Sequence, residues 1–475
     1  MTGTPVSASE LATPVRTDPP GTTAEGAGTE DRLPWLLGFL CVLITALPSY
    51  VLLPGPLKSN GSPARMIAVV LLGLVMLGFV LVRRTVKVRQ VRPGVLILLI
   101  YFLLWLTTFG VALADFTPLP SSSATEASMT RSLIALTANI GLGLYVVMRV
   151  RTPRQRDFVL GCLLCGMTFA CLVGLLQSVA AIDLRFLFQP PGFVVNTDTL
   201  SLVERAGVER ALGTSEHAIE YSILTAATVP LALYFARYAR VRNIRILSAA
   251  ICGLAILTVP TGVSRTGVIA FAGALLLLMF AHTVRQIATG LVVGALALGG
   301  YIAAFPKVAN ALWQTIITSE KDPSVLSRTA DYATVSETFR AHPVFGLGLG
   351  ASPPEIYGWL DNEWLQAIVQ GGLFGVAAMI VLAGGGVFGI AAALRRASNQ
   401  RERYQGYVLG AILVAILISS FTFDLFGFQQ ATFLFFITFG LLWSGFTIDS
   451  PDPRPQAWRA RRGPKAVATS DGRTA

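Results

Sequence analysis

The sequence predicts an all-α polytopic membrane protein of about twelve transmembrane helices, with both termini in the cytoplasm. Three observations predict it. Hydrophobic residues make up 53% of the chain and charged residues only 13%, where a soluble domain is near a quarter charged. The apolar residues fall in runs long enough to cross a bilayer core. Arginines and lysines recur in alternate connections between those runs.

The runs lie near 34–54, 65–82, 94–114, 132–149, 157–180, 219–236, 244–261, 265–281, 286–305, 364–392, 406–420 and 430–446. The pair around Val259-Pro-Thr-Gly-Val-Ser-Arg265 reads either as two helices with a tight turn or as one re-entrant hairpin. Arg83, Arg84, Lys87, Arg89 and Arg92 follow the second run, and Arg149, Arg151, Arg154 and Arg156 the fourth. Arg237, Arg240, Arg242 and Arg245 follow the sixth, and Arg395, Arg396, Arg401 and Arg403 the tenth. This alternation assigns the even-numbered loops to the cytoplasm and leaves two long loops outside, from about Ile182 to His217 and from about Phe305 to Asn362. The membrane unit spans 32–447, with polar tails at 1–31 and 448–475 that read as disordered and cytoplasmic.

The net charge of +11 is accounted for by these basic loops, so nucleic acid is not an expected partner. Trp458-Arg-Ala-Arg-Arg462 suits anionic lipid head groups, and a solvated positive-inside tail explains it as well. Cys162 and Cys165 have CxxC spacing inside an apolar run. That is the wrong environment for a thiolate or a metal, so no redox, disulfide or metal function follows.

Four outward segments carry the chemistry. The first holds Glu204, Arg205, Arg210 and Gly213-Thr-Ser-Glu-His217 before an apolar helix that Thr214, Ser215 or Glu216 would cap. The second is Gly262-Val-Ser264-Arg265-Thr266-Gly267, where Arg265 either snorkels to the interface or faces a polar site. The third is Ser327-Arg328-Thr-Ala-Asp331-Tyr332, then His342-Pro343-Val-Phe-Gly346-Leu-Gly348-Leu-Gly350. Tyr332, Val335 and Phe339 share a helical face there, and Ser327 or Asp322 would start that helix. The glycines lack the strand-and-helix context of a dinucleotide site. The fourth is Asp361-Asn362-Glu363-Trp364-Leu-Gln366, where Asn362 or Asp361 would cap a helix and Trp364 fits an interface belt. Arginine binds phosphate bidentately and keeps its proton, and a carboxylate beside it serves as a base. The combination suits displacement of a diphosphate leaving group.

In this order the segments resemble the O-antigen ligase and polymerase-like family of membrane glycosyltransferases. The resemblance covers about 200–380 and rests on Arg210–Gly213, Ser264–Gly267, Arg328 with His342–Gly350, and Asp361–Gln366, continued by Gly371, Gly372 and Gly375. It implies a metal-independent, inverting, GT-C-like enzyme without a cofactor. The substrates implied are a polyprenyl-diphosphate-linked glycan and an acceptor hydroxyl on a glycan, lipid or protein at the outer face of the cytoplasmic membrane. The catalytic residues implied are Arg210, Arg265 and Asp361. Arg328, Arg205, Asn362, Glu363, His217 and His342 would contribute to substrate binding. The family pattern has histidine where this chain has Asp361, which leaves a ligase and a polymerase equally admissible. A transporter or flippase for a lipid-linked or anionic solute is the alternative from another class, and a non-catalytic scaffold for envelope assembly is a third.

Overall fold

The computed structural model describes residues 32–55, 58–81, 90–114, 123–184, 190–195, 204–205, 207–317 and 323–449. It is an all-α bundle. In chain order the helices are α1 (Trp35–Ala46), α2 (Pro63–Leu81), α3 (Pro93–Leu113), α4 (Ser123–Arg149), α5 (Pro153–Ala180), α6 (Ala218–Tyr238), α7 (Arg242–Thr258), α8 (Arg265–Met279), α9 (Val284–Ala304), α10 (Pro306–Ile317), α11 (Pro323–Ala341), the single turn α12 (Pro354–Tyr357), α13 (Glu363–Arg396), α14 (Gln400–Ser419) and α15 (Gln429–Trp443). Each of the twelve apolar runs falls on a helix. Among the described residues, eight helices are long and apolar enough to cross a membrane, while α1, α8 and α15 are apolar but shorter.

Local chemistry sets the ends. Thr152 and Gln155 form a reciprocal capping box at the start of α5, and Thr283 and Gln286 form another at α9. Asn399 caps α14. The run predicted over 34–54 is helical only to Ala46. Beyond it β1 (Val51–Leu52) pairs with β3 (Val194–Val195), a strand of the first long loop. The run at 132–149 extends back to Ser123, because polar residues tolerated at a helix end do not register as apolar sequence.

Burial sorts the helices. Every residue of α15 is buried, as is most of α6, so these two form the centre. Ala270 and Ala274 of α8 meet Ala411 and Ala415 of α14 in a small-residue seam that lets the backbones approach closely. In α9 only Tyr301 is buried.

The two ends of the bundle differ. At one end Gln155 Nε2 donates to the Arg32 carbonyl at 2.9 Å, and β2 (Gln90–Val91) pairs with β6 (Ile448–Asp449). Arg401 bridges to Asp157 at 2.6 Å there, and Arg396 donates to the Leu442 carbonyl at 3.1 Å. Both ends of the described chain thus lie at this basic end. Of the tails predicted as disordered, 1–31 and 450–475 fall outside the described residues, while Ile448 and Asp449, placed in the second tail, are ordered in β6 by their pairing with β2, which corrects that boundary. The opposite end gathers the connections that follow α1, α5, α7 and α14, and it holds the polar segments singled out in the sequence.

One helix is broken on purpose of sequence. Gly372, inside α13, has φ +54° and ψ −137°. An unbroken helix would bond Leu373 and Phe374 N–H to the carbonyls of Val369 and Gln370. Instead Leu373 and Phe374 donate to Pro343 and Val344, and Leu347 and Gly348 donate to Val369 and Gln370, at 2.9–3.2 Å. The His342–Gly350 segment therefore splices into the break. Gly346 (φ +62°) sits where a Cβ would come within 2.6 Å of the Gly371 nitrogen, so the glycine spacing serves backbone packing, and Gln370 Oε1 accepts from Gly350 N at 2.9 Å.

Candidate site at the loop end of the bundle

Arg210 is almost fully buried, and its Nε donates to the Gly262 carbonyl at 3.0 Å. The residue after it, Ala211, donates its N–H to the Thr261 carbonyl at 3.1 Å. The segment that follows is held residue by residue. Gln177 Oε1 accepts from Leu212 N at 3.1 Å and Gly213 N at 2.8 Å. Thr214 Oγ1 donates to the Thr45 carbonyl, Ser215 Oγ to Gln430 Oε1, both at 2.6 Å, and Glu216 N to Glu220 Oε2 at 3.1 Å. Glu220 in turn accepts from Gln430 N and Ala431 N, so a carboxyl group from α6 caps α15. Burial pushes the Glu216 carboxyl up, and the positive charge of Arg65 on α2 pulls it back.

With Thr214 and Ser215 occupied elsewhere, the cap of α6 is His217, whose Nδ1 accepts from Ile219 N at 3.1 Å. This corrects the capping expected from Thr214, Ser215 or Glu216. The His217 ring also packs on Phe423 and Phe428.

Val259–Gly262 form a single 3-10 turn between α7 and α8, which resolves that region as two helices. Ser264 Oγ accepts from Gly267 N at 3.3 Å and caps α8, leaving Arg265 as its first residue, half-buried. Thr266 Oγ1 meets Thr422 Oγ1 at 2.8 Å, which sets the start of α8 against the connection between α14 and α15.

That connection meets the start of α13. Glu363 N donates to the Ser420 and Phe423 carbonyls, and Glu363 Oε2 accepts from Phe426 N at 2.9 Å. The Glu363 and Asp424 carboxyls share a hydrogen bond, and Asp424 Oδ1 accepts from Gly427 N at 3.0 Å. Burial raises the Asp424 carboxyl above the usual range; the bonds from Glu363 and Gly427 oppose this, and the Asp361 charge adds to it. Asp361 itself is exposed, and the helix cap is Asn362, which accepts from Trp364 N and Leu365 N. Trp364 donates to Ser420 Oγ at 3.1 Å and stacks on Phe421.

The structure thus joins Arg210, the Arg265 turn, His217, Asn362 and Glu363 through one continuous set of contacts. Arg205 stands on a hairpin of β4 (Glu204–Arg205) and β5 (Val208–Glu209), which sits against α10 and packs Val208 on the cluster around Val263. His342 follows the last residue of α11, beside the spliced break. Arg328 is within α11, and its side chain lies outside the described residues, as does Asp322. On the face expected of that helix Val335 is buried and Tyr332 exposed. Sequence reasoning missed Asp424, Glu220, Arg65 and Gln177. Each is an ionisable or amide residue in or beside an apolar run, and that is the signal that would have found them.

Fold and site define an integral membrane protein that gathers arginines and carboxyls at one end of its bundle. Residues 250–380 match the family model described as O-Antigen ligase. Over that stretch the chain is similar to glycosyl-transferring membrane enzymes of the ligase and polymerase type, as its motifs led one to expect. The matched stretch contains Arg265, Arg328, His342 and Asp361–Glu363 and stops before Asp424. Comparison with curated proteins gives no match.

Proposed function

We propose that the protein transfers a glycan from a polyprenyl diphosphate carrier to an acceptor hydroxyl at the outer face of the cytoplasmic membrane. The membrane unit is 32–447, its ligase/polymerase-like core about 200–380, and the basic end faces the cytoplasm. One observation carries the reading. Arg210 grips the turn that bears Arg265, and that turn touches the connection holding the Asp424–Glu363 pair beside Asp361. The segment that carries the cationic groups is therefore linked by contact to the one that carries the acidic groups.

In this reading the acceptor oxygen attacks the anomeric carbon as the bond from that carbon to the diphosphate oxygen breaks, with inversion. Arg210, Arg265 and Arg328 hold the diphosphate and stabilise the charge it takes away. Asp361 accepts the acceptor proton. Guanidinium charge serves where other enzymes use a cation, so neither metal nor cofactor is required. Asn362 and His217 contribute by capping helices, which fixes the walls on which the charged groups stand.

The test is a transfer assay with the purified full chain and a polyprenyl-diphosphate-linked oligosaccharide. Arg210→Ala, Arg265→Ala, Arg328→Ala and Asp361→Ala are each expected to lose on the order of a hundredfold in rate. Full activity in all four would overturn the site, and abolition by a chelator would overturn the metal-free mechanism. The broken helix α13 favours a second reading, a transporter or flippase, since such helices form transport sites. Carrier flux across vesicles without glycan transfer would select it.

A further inference from the structure

We infer that Val263 is a positioning residue for the arginine pair, held in an unfavourable backbone conformation by α10. This rests on the diphosphate reading of Arg210 and Arg265.

Val263 has φ +43° and ψ +54°. A β-branched residue in the left-handed region is an outlier, because its side chain crowds the backbone there. Such conformations persist only where surrounding structure over-determines them. Val263 lies between Gly262, whose carbonyl takes Arg210 Nε, and Ser264, whose hydroxyl starts the helix that Arg265 heads. Its backbone angles thus set the direction of both arginines relative to each other.

The restraint is visible. Val263 N donates to the Pro260 carbonyl at 3.0 Å, closing the turn from behind. Its side chain is fully buried with Tyr301 at the end of α9 and Val308 and Ala311 of α10, while Val208 and Phe305 pack around them. Val308, Ala311 and the buried Thr315 recur at helical spacing, so one face of α10 lies on the turn and the other carries the exposed Trp313 and Ile317. Glycine would take these angles freely, but it would leave the pocket under α10 empty and the turn free to relax. Valine couples the turn to α10.

The experiment uses the full chain in nanodiscs and measures binding of polyprenyl diphosphate and polyprenyl monophosphate, with thermal unfolding alongside. Val263→Gly is expected to weaken diphosphate binding on the order of tenfold while the monophosphate, which needs one arginine only, changes little. Val263→Ile should restore the diphosphate preference. Val308→Ala loosens the clamp from the other side and should weaken diphosphate binding in the same direction, which keeps the test available if Val263→Gly folds poorly. Wild-type diphosphate affinity in both Val263→Gly and Val308→Ala overturns the inference, as does equal weakening for the two phosphates. Arg210→Ala and Arg265→Ala are measured beside them. If these also bind the diphosphate normally, the diphosphate reading has failed. If they lose binding while Val263→Gly and Val308→Ala do not, only the positioning role has failed.

Discussion

Replacing Gln177 by leucine tests how the Arg210 segment is held. Gln177 comes from the last turns of α5, and its Oε1 accepts two backbone N–H groups, those of Leu212 and Gly213. Both residues are buried, so neither donor has ready access to water. Leucine fills a similar volume but accepts nothing. A buried donor left unmet costs about 1–3 kcal/mol. Taking the lower figure for each, the segment loses about 2 kcal/mol of local stability. At 1.4 kcal/mol per tenfold, that is roughly a 30-fold increase in local opening. Hydrogen–deuterium exchange followed by mass spectrometry over peptides spanning 211–217 reads this directly. Exchange there should accelerate by about that factor while peptides from α15 change less, because Glu220 still caps that helix. Unchanged exchange over 211–217 would refute the reasoning, since it would mean that Gln177 does not hold the loop.

Four further outcomes follow from the geometry. Gly372→Ala places a Cβ 2.6 Å from the Pro343 carbonyl at a positive φ, and should destabilise the protein by about 1–3 kcal/mol in thermal or denaturant unfolding. Gly73→Ala on α2, with open space around it, should be neutral or mildly stabilising. Asn362→Ala removes the cap of α13 and should cost about 1 kcal/mol, with Asn362→Asp close to wild type. The Asp424 carboxyl is raised above its ordinary value of 3.8, so the fold favours its protonated form. That stabilisation is complete below the ordinary value and is lost as pH rises through the raised one. Asp424→Asn should flatten this part of the stability profile, and an unchanged slope in unfolding runs at stepped pH would count against the assignment.

The fold was readable where a single physical requirement dominates. A long apolar run needs only the bilayer to explain it, and each such run contains a helix, although that at 34–54 is helical only to Ala46. Among the described residues, Arg92, Arg151, Arg156, Arg396 and Arg401 of the alternate loops likewise collect at one end of the bundle. What could not be read were contacts that depend on the third dimension. Asn362 and Asp361 were equivalent cap candidates in sequence, and only the geometry chose the former. Thr214 and Ser215 looked like caps for α6 until their partners, Thr45 and Gln430, came from helices far along the chain. Asp424 stands among phenylalanines, and nothing local announces Glu363 as its neighbour. The glycines of 346–350 were visible as a group, but their purpose needed the break at Gly372.

The poorly covered helix α9 has a mechanical consequence. Its 21 residues make a rod of about 31 Å, close to the thickness of the hydrocarbon layer. With Tyr301 its one buried residue, little of the described protein holds it, and the tilt of such a helix in a bilayer answers to membrane thickness. The rod ends at Phe305, where α10 departs and lies across Val263. A thinner bilayer would lean α9 over and drag α10 with it. Transfer rates in membranes of graded acyl-chain length would show whether the lipid sets the tension on the arginine turn, and a rate indifferent to thickness would disconnect the two.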